Sequence, residues 1–156
     1  MRLGIQENRH PEEETGNVPR RGIMPSSKHI PSGFPALVPY LTVDDPARLV
    51  AFAKGAFGAE ELKEQHVEHP AGEVIHAALR VEGCVIETGR SSPEWKSMPV
   101  AIHLYVRDVD ATYDRALKAG GVSLHGVREM EYDERACAIR DPCGNNWYIA
   151  THTGRS

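Results

Sequence analysis

Side chains that can bind a ligand or a metal ion recur at alternate positions of several short segments. They are Tyr40, His76, Arg80, Glu87, His103, Tyr105, Asn146 and Tyr148. Successive side chains of a β-strand point to opposite faces of a sheet, so residues two apart in such a segment share one face. Within each segment, the side chains at alternate positions therefore share one face and give it a polar surface. Burying a polar group without a partner costs about 1–3 kcal/mol, so a binding site for a small molecule explains this surface best.

Two histidines and one carboxylate form the ligand set by which proteins hold non-haem iron and catalytic zinc. His76, Glu87 and His103 supply that set here, so one hypothesis is a site for a divalent metal ion (Zn, Fe, Mn or Ni). The alternative hypothesis needs no metal. In it, Glu87 pairs with His76 or Arg80, and His103 donates a hydrogen bond to a tyrosine or to the ligand.

The composition excludes several classes of partner. The chain has 156 residues, a net charge of −4 and 40% apolar residues, which is typical of a globular protein. It has no basic cluster for a nucleic acid and no apolar run near the roughly 18 residues that a membrane span needs. Its three cysteines lack CxxC spacing, which favours neither a disulfide framework nor a zinc knuckle and predicts a cytoplasmic protein.

The first 33 residues differ from the rest of the chain. They are polar and rich in proline, glycine and charge, which predicts a flexible N-terminal extension at residues 1–33 before a single domain at residues 34–156. Two alternatives are that Met24 is the true start of translation and that the extension is a functional tail.

Two segments of the domain repeat each other. "PYLTVDDPARLVAFAKGAFG" (39–58) aligns without a gap with "IHLYVRDVDATYDRALKAGG" (102–121), and such internal repeats indicate repeated structural units. Each copy begins with an alternating segment typical of a strand and continues at helical spacing. Asp45 and Asp108 stand where they can cap a helix, and Gly58 stands where one would end.

Further alternating segments follow each helix and predict three more strands per copy. In the first copy these cover residues 60–68, 73–81 and 84–89, and in the second residues 122–128, 136–140 and 146–152. The predicted architecture is α+β, with a first βαβββ module at residues 36–89, a linker at 90–99 and a second module at 100–152. One such module is too small to bury its own sheet face, so the two must pack together.

The repeat and three of its segments resemble a known superfamily. "VPYLTVDDPARLVAFAKGAFGAEEL", "IHAALRVEG" and "RDPCGNNWYIATH" resemble the vicinal oxygen chelate superfamily, which includes glyoxalase I, bleomycin-resistance proteins and extradiol dioxygenases, and in particular its PhnB-like branch. The resemblance covers residues 36–152. It implies that the two modules form a cup of curled mixed sheets, that a homodimer covers or completes the cup, and that four inward side chains often hold a divalent metal.

Alignment with the family pattern puts those four metal positions on Val38, Glu87, Ala101 and Tyr148, of which only Glu87 is an ordinary ligand. This argues against glyoxalase I activity. The leading hypothesis is a small-molecule-binding cup of the bleomycin-resistance type without a complete family metal site.

Two further functions are the alternatives to a binding cup. One is an enzyme, either a lyase, isomerase or dioxygenase that uses a displaced metal site at His76, Glu87 and His103, or a metal-free enzyme. In the metal-dependent case Tyr105 or Tyr148 would donate a proton. The other is an interaction module whose cup is filled by its own side chains.

Two other predictions concern large side chains outside the cup. Trp95 and Met98, in the linker, either cover the cup mouth as a lid or pack at a dimer interface. Trp147 alternates with Tyr148, so we expect it in the core beneath a helix.

Overall fold

The computed structural model describes residues 29–154. Two α-helices, α1 (Pro46–Phe57) and α2 (Val109–Lys118), and a 3-10 turn at Lys63–Gln65 accompany the strands. The strands are β1 (Tyr40–Val43), β2 (Glu60–Glu61), β3 (Val67–Glu68), β4 (Val74–Val81), β5 (Cys84–Arg90), β6 (Ala101–Tyr105), β7 (Val122–Glu129), β8 (Glu134–Arg140) and β9 (Asn146–His152). Residues 1–28 of the predicted extension, including Met24, lie outside the described residues.

The capping residues predicted from the repeat start both helices. The Asp45 side chain accepts a hydrogen bond from the Arg48 N–H, and the Asp108 side chain accepts one from the Ala111 N–H. Each bond satisfies a backbone donor that has no partner within the first helical turn. Gly58 ends α1 in the left-handed conformation, with φ at 65°, which a residue without Cβ adopts at little cost.

The first module forms one mixed sheet, sheet A, in the order β1-β5-β4-β2, with β3 also paired to β4. Strand β1 runs parallel to β5, and the other pairs are antiparallel. The second module forms sheet B in the order β6-β9-β8-β7, with β6 parallel to β9. The predicted α+β fold of two repeated modules is therefore confirmed, but the two hydrogen-bonded sheets remain separate and do not close.

Three predicted strand boundaries are wrong. The first strand begins at Tyr40 rather than at residue 36. Residues 60–68 do not form one strand, because the 3-10 turn at Lys63–Gln65 separates β2 from β3 and the pairing of β3 with β4 shifts in register. Strand β8 begins at Glu134, two residues before the predicted start, and this difference matters for the site.

A single hydrophobic core joins the two modules. Helix α1 packs against sheet A, α2 packs against sheet B, and the helices pack against each other. The Phe57 ring of α1 lies 4.6 Å from the ring of Trp147 in β9, and Trp147 is fully buried, which confirms its predicted place. Because the helices cover one face of each sheet, the opposite faces are left for the polar side chains. Within residues 29–154, no helix is long and apolar enough to span a membrane.

Candidate functional site

The polar face of sheet A carries a cluster of one tyrosine, one histidine and one carboxylate. Tyr40 pairs with Glu87 across β1 and β5, and His76 pairs with Gly89 across β4 and β5, so these residues occupy adjacent rows of the same face. The rings of Tyr40 and His76 are 5.8 Å apart, and His76 Nε2 lies 3.8 Å from Glu87 Oε1. His76 Nδ1 is hydrogen-bonded to the Gln65 carbonyl at 2.8 Å, which fixes the ring orientation.

Gly89 provides the space for this arrangement. A Cβ at this position would lie 1.9 Å from the Tyr40 hydroxyl, so the Tyr40 side chain lies directly across Gly89 toward His76. Burial, with a smaller effect from the charge of Glu87, raises the pKa of Tyr40. Tyr40 is therefore a neutral hydroxyl at physiological pH that can donate or accept a hydrogen bond.

Arg80 lies apart from that cluster, next to a large cavity. Its guanidinium donates to the Gly33 carbonyl at 3.3 Å, and it lines a cavity of about 690 Å³ with Phe34 and the segment at residues 60–65. Several of the charged groups there already have partners, because Glu61 bonds both Lys54 and His66. We therefore place this cavity beside the site, despite its size. The centre of the site is where the tyrosine, histidine and glutamate side chains lie together on the strands.

The polar face of sheet B carries a second cluster of the same chemical composition. His103 pairs with Tyr148, and Tyr105 pairs with Ala150. The rings of His103 and Tyr105 stack at 4.6 Å. The Tyr105 hydroxyl donates to Glu134 Oε1 at 2.5 Å, and His103 Nε2 lies 3.9 Å from Glu134 Oε2. Histidine, tyrosine and carboxylate therefore meet on sheet B as they do on sheet A.

The hydrogen bond to Glu134 has a chemical consequence for Tyr105. Loss of the hydroxyl proton would remove this bond and place a negative charge beside the carboxylate, so the pKa of Tyr105 is raised, first by the hydrogen bond itself. A raised pKa makes Tyr105 a weaker proton donor, which argues against its predicted role as a general acid. Tyr105 instead holds Glu134 in place.

Asn146 and Tyr148, the remaining predicted residues, also lie on sheet B. Asn146 Oδ1 accepts a hydrogen bond from Arg140 Nε at 3.2 Å, so its side chain is held toward its cross-strand partner on β8. Tyr148 is 45% exposed. Small residues alternate with these large ones, and Ala138 and Ala150 are buried although they share the same face, so the larger neighbouring side chains cover them.

The structure does not bring the predicted metal trio together. His76 lies beside Glu87 on sheet A, whereas His103 lies beside Glu134 on sheet B. Among residues 29–154, no three histidine, cysteine, aspartate or glutamate side chains are arranged to hold a metal ion. The four family positions fit a metal no better, because the side chains of Val38 and Ala101 offer no donor atom and Tyr148 is a half-exposed tyrosine, which is not an ordinary ligand. Glu87 is the one ordinary ligand among them.

Glu134 is the site residue that the sequence interpretation missed. The predicted strand began at residue 136, which left Glu134 in a loop. Ala136 and Ala138 pair with Ala150 and Tyr148, so extension of the same alternation by two residues places Glu134 on the polar face. The alternation in "ERACAIR", which begins at residue 134, could have placed Glu134 in the strand.

One arginine and two cysteines outside the two clusters are not available as reactive groups. Arg135 forms a two-bond ion pair with Asp110 and a third bond to Glu129. Burial raises the pKa of the Cys137 thiol to about 11 and that of Cys143 to about 12, so both thiols are protonated and weakly nucleophilic at neutral pH.

The linker between the modules contacts the edge of sheet A. The Met98 N–H donates to the Thr42 carbonyl at 3.3 Å. Trp95 and Met98 are 76% and 68% exposed and line a cavity of about 180 Å³ that also contacts Tyr40. The position is compatible with both predicted roles, a lid and a dimer contact.

Comparison with known proteins agrees with this geometry. The model of the Glyoxalase/Bleomycin resistance protein/Dioxygenase superfamily matches residues 33–149. The uncharacterized protein Rv0887c of Mycobacterium tuberculosis is 40% identical over 126 residues, which cover 74% of this chain and 73% of that protein.

Two solved structures share the fold. TioX from Micromonospora sp. ML1 has a TM-score of 0.63 and 24% identity, covering 74% of this chain and 97% of its own. The Arabidopsis thaliana gene product AT5G48480 has a TM-score of 0.62 and 26% identity, covering 75% of this chain and 98% of its own. The chain belongs to the glyoxalase/bleomycin resistance protein/dioxygenase superfamily.

Proposed function

We propose that this protein binds a small organic molecule against the polar faces of its two sheets, in the manner of the bleomycin-resistance type, without the family metal. One observation carries the proposal: each sheet presents a tyrosine, a histidine and a carboxylate on the face that no helix covers. Aromatic walls with a few oriented polar groups are typical of small-molecule sites.

The exposure of these rings supports a ligand rather than a filled interior. Tyr40, Tyr105 and Tyr148 are each about half exposed, at 53%, 54% and 45%. Side chains that filled the cup for structural reasons alone would be buried against one another, as Trp147 is in the core. Contiguous exposed aromatic surface on one face marks an interaction site.

We propose further that the protein is a homodimer, in which a second copy covers part of these faces. The support is that the two sheets of one chain remain separate, with aromatic side chains open to solvent on both. A cytoplasmic location and membership of the PhnB-like branch complete the proposal. The former is supported by three free cysteines and the latter by the segments "IHAALRVEG" and "RDPCGNNWYIATH".

A thermal-shift screen followed by titration tests the binding function. Compounds that span the chemistry of the superfamily, such as glyoxal adducts, aromatic diols and glycopeptide antibiotics, are screened for an increase in Tm, because a ligand that binds only the folded state stabilises it. Each hit is then titrated into the isotope-labelled protein and into the variants Tyr40→Ala and Tyr148→Ala. We expect the affected resonances to lie on the strands of the polar faces and both variants to weaken binding.

Tyr113→Phe is the matched control. The Tyr113 hydroxyl on α2 bonds Ser123, away from the polar faces, so this variant should bind like the wild type. A ligand whose contacts map to the helices, or whose affinity is unchanged in both face variants, would contradict the proposal. Turnover of a hit without bound metal would instead favour the metal-free enzyme.

A further inference from the structure

Glu134 is buried, yet one of its oxygens has no partner. Its side chain is 9% exposed, and Oε2 is the one buried side-chain oxygen or nitrogen in residues 29–154 without a hydrogen bond. Tyr105 satisfies Oε1, and His103 Nε2, at 3.9 Å from Oε2, is too distant for a hydrogen bond. A buried carboxyl oxygen in this state requires an explanation, since nearly all such groups in native proteins are bonded.

The groups around Glu134 determine what could provide that bond. The carboxylate is an acceptor only, so its missing partner must be a hydrogen-bond donor. The His103 side chain is 47% accessible, and its ring stacks on that of Tyr105, which is itself 54% exposed. Because His103 Nε2 lies 3.9 Å from Oε2, rotation of this exposed side chain would change the space next to Oε2.

From this geometry we infer a subsite on sheet B for a cationic nitrogen group of the ligand, such as an amidinium, guanidinium or ammonium group. The inference rests on the proposed binding function and adds the chemical class of the ligand. An N–H of the cation bonds Glu134 Oε2, while Tyr105 keeps its bond to Oε1. The Tyr105 hydroxyl and His103 Nε2 both lie next to this carboxylate.

Three arginines lie on β7 and β8, and one of them, Arg128, pairs with Ala136 and so shares the face of Glu134. Arg140 is at the opposite end of β8 from Glu134 and bonds Asn146. Arg135 is on the other face of the strand, paired with Asp110. A hydrogen bond from a cation to Glu134 would be stronger than a bond between neutral groups.

Three probes of one shape and different charge test the inference: benzamidine, benzamide and benzoate. Each is titrated into the full-length protein, and binding is followed by chemical-shift perturbation. We expect benzamidine to bind at least about tenfold more tightly than the other two, as a charge-assisted hydrogen bond implies. The largest shifts should lie at His103, Tyr105 and Glu134.

Glu134→Gln is the decisive variant. Glutamine keeps an oxygen for the Tyr105 hydroxyl but replaces Oε2 with an NH₂ donor, so the preference for benzamidine should disappear while benzamide still binds. Asp114→Asn removes one negative charge from the exposed surface of α2 and should leave the preference unchanged. If Glu134→Gln does not fold, Tyr105→Phe is the test of the cation subsite. This variant frees the second carboxylate oxygen of Glu134, so we expect it to maintain or strengthen benzamidine binding.

The outcomes separate this inference from the proposed function. Equal binding of the three probes to the polar faces, or a preference for benzamidine that survives Glu134→Gln, overturns the cation subsite and leaves the binding function intact. If neither the probes nor any compound of the wider screen perturbs these faces, both proposals are wrong.

Discussion

At the scale of single residues, Asp141 shows how one side chain fixes the connection between two strands of the site. Its Oδ1 accepts hydrogen bonds from the backbone N–H groups of Cys143 and Asn145, and its Oδ2 accepts from the Asn145 side chain and from Trp147 Nε1. Asp141 is 4% exposed. It therefore joins the β8–β9 turn to the core residue beneath Tyr148.

We predict that Asp141→Asn destabilises the fold by about 2–4 kcal/mol, because an amide NH₂ in place of Oδ2 faces two donors and leaves them unsatisfied. Urea denaturation measures the change in the free energy of unfolding. Asp114→Asn, a surface change of the same type, should stay within about 0.5 kcal/mol of the wild type. Equal stability of the two variants would show that the Asp141 bonds do not hold the turn.

The donor atoms of individual residues also predict the metal content. Protein purified without chelators should contain clearly less than one divalent metal per chain, because the four family positions offer one carboxylate and no histidine. Elemental analysis of the wild type and of His103→Ala measures this. A stoichiometric metal that His103→Ala removes would establish the displaced site and would require the two sheets to meet across two chains.

At the scale of elements, one histidine holds together the irregular part of sheet A. His66 Nδ1 lies 2.5 Å from Glu61 Oε1 of β2, and its Nε2 lies 2.8 Å from Glu68 Oε1 of β3. Lys54 of α1 also bonds Glu61. These carboxylates raise the pKa of His66, through Glu68 first and Glu61 second, and the bonds from Lys54 and His66 lower the pKa of Glu61.

The signs of these shifts predict how stability depends on pH. A raised pKa in the folded state means that the His66 contribution is fully present below its usual pKa of 6.5 and is lost as the pH rises through the folded value. The lowered pKa of Glu61 means that its contribution is present above its usual 4.5 and is lost as the pH falls through the folded value. Both contributions are therefore present between these two usual values.

We predict that His66→Gln lowers the free energy of unfolding more at about pH 6 than at about pH 9. Urea denaturation at the two pH values gives the comparison. His125→Gln is the control, because the partly buried His125 ring bonds a neutral group, the Gly126 carbonyl, so we expect its effect to be the same at the two pH values. An equal loss for His66→Gln at both pH values would mean that the histidine acts only through packing.

At the scale of the whole molecule, the two modules share a core but keep separate sheets. A helix covers the face of each sheet opposite the polar face. The two helices contact each other, and Arg115 of α2 donates to the Ala56 carbonyl of α1. The polar faces retain half-exposed aromatic side chains. A second copy is the partner that would cover such faces in a symmetric way, since most homo-oligomers are closed dimers.

Sedimentation velocity should therefore give a species of twice the 17.2 kDa mass of the chain. The double variant Trp95→Ser/Met98→Ser lacks two exposed apolar side chains beside sheet A. We expect its dimer to dissociate at a higher protein concentration than that of the wild type, because less apolar area is buried on association. A wild-type monomer at all concentrations would contradict the dimer and assign Trp95 and Met98 to a lid.

The sequence determined the repeated modules, because their evidence is local. Strand alternation, the helix caps Asp45 and Asp108 and the turn at Gly58 depend on backbone geometry and on nearest neighbours, and the structure confirms them. The alternation and the family resemblance put Tyr40, His76, His103 and Tyr105 on one cup surface, whereas the structure places the first two on sheet A and the last two on sheet B. The alternation failed where a strand is interrupted, at residues 60–68, because pairing with β4 overrides the local pattern there.

Only the tertiary structure decided which of these residues meet. The sequence contained two histidines and a carboxylate that could have formed one site, but their convergence depends on how the sheets are placed relative to each other, and no local pattern encodes that placement. In the structure Glu87 lies beside His76 on sheet A, and His103 lies beside Glu134 on sheet B. The unpartnered oxygen of Glu134 is likewise a property of packing, since a side chain's burial and its hydrogen bonds exist only once distant strands lie side by side.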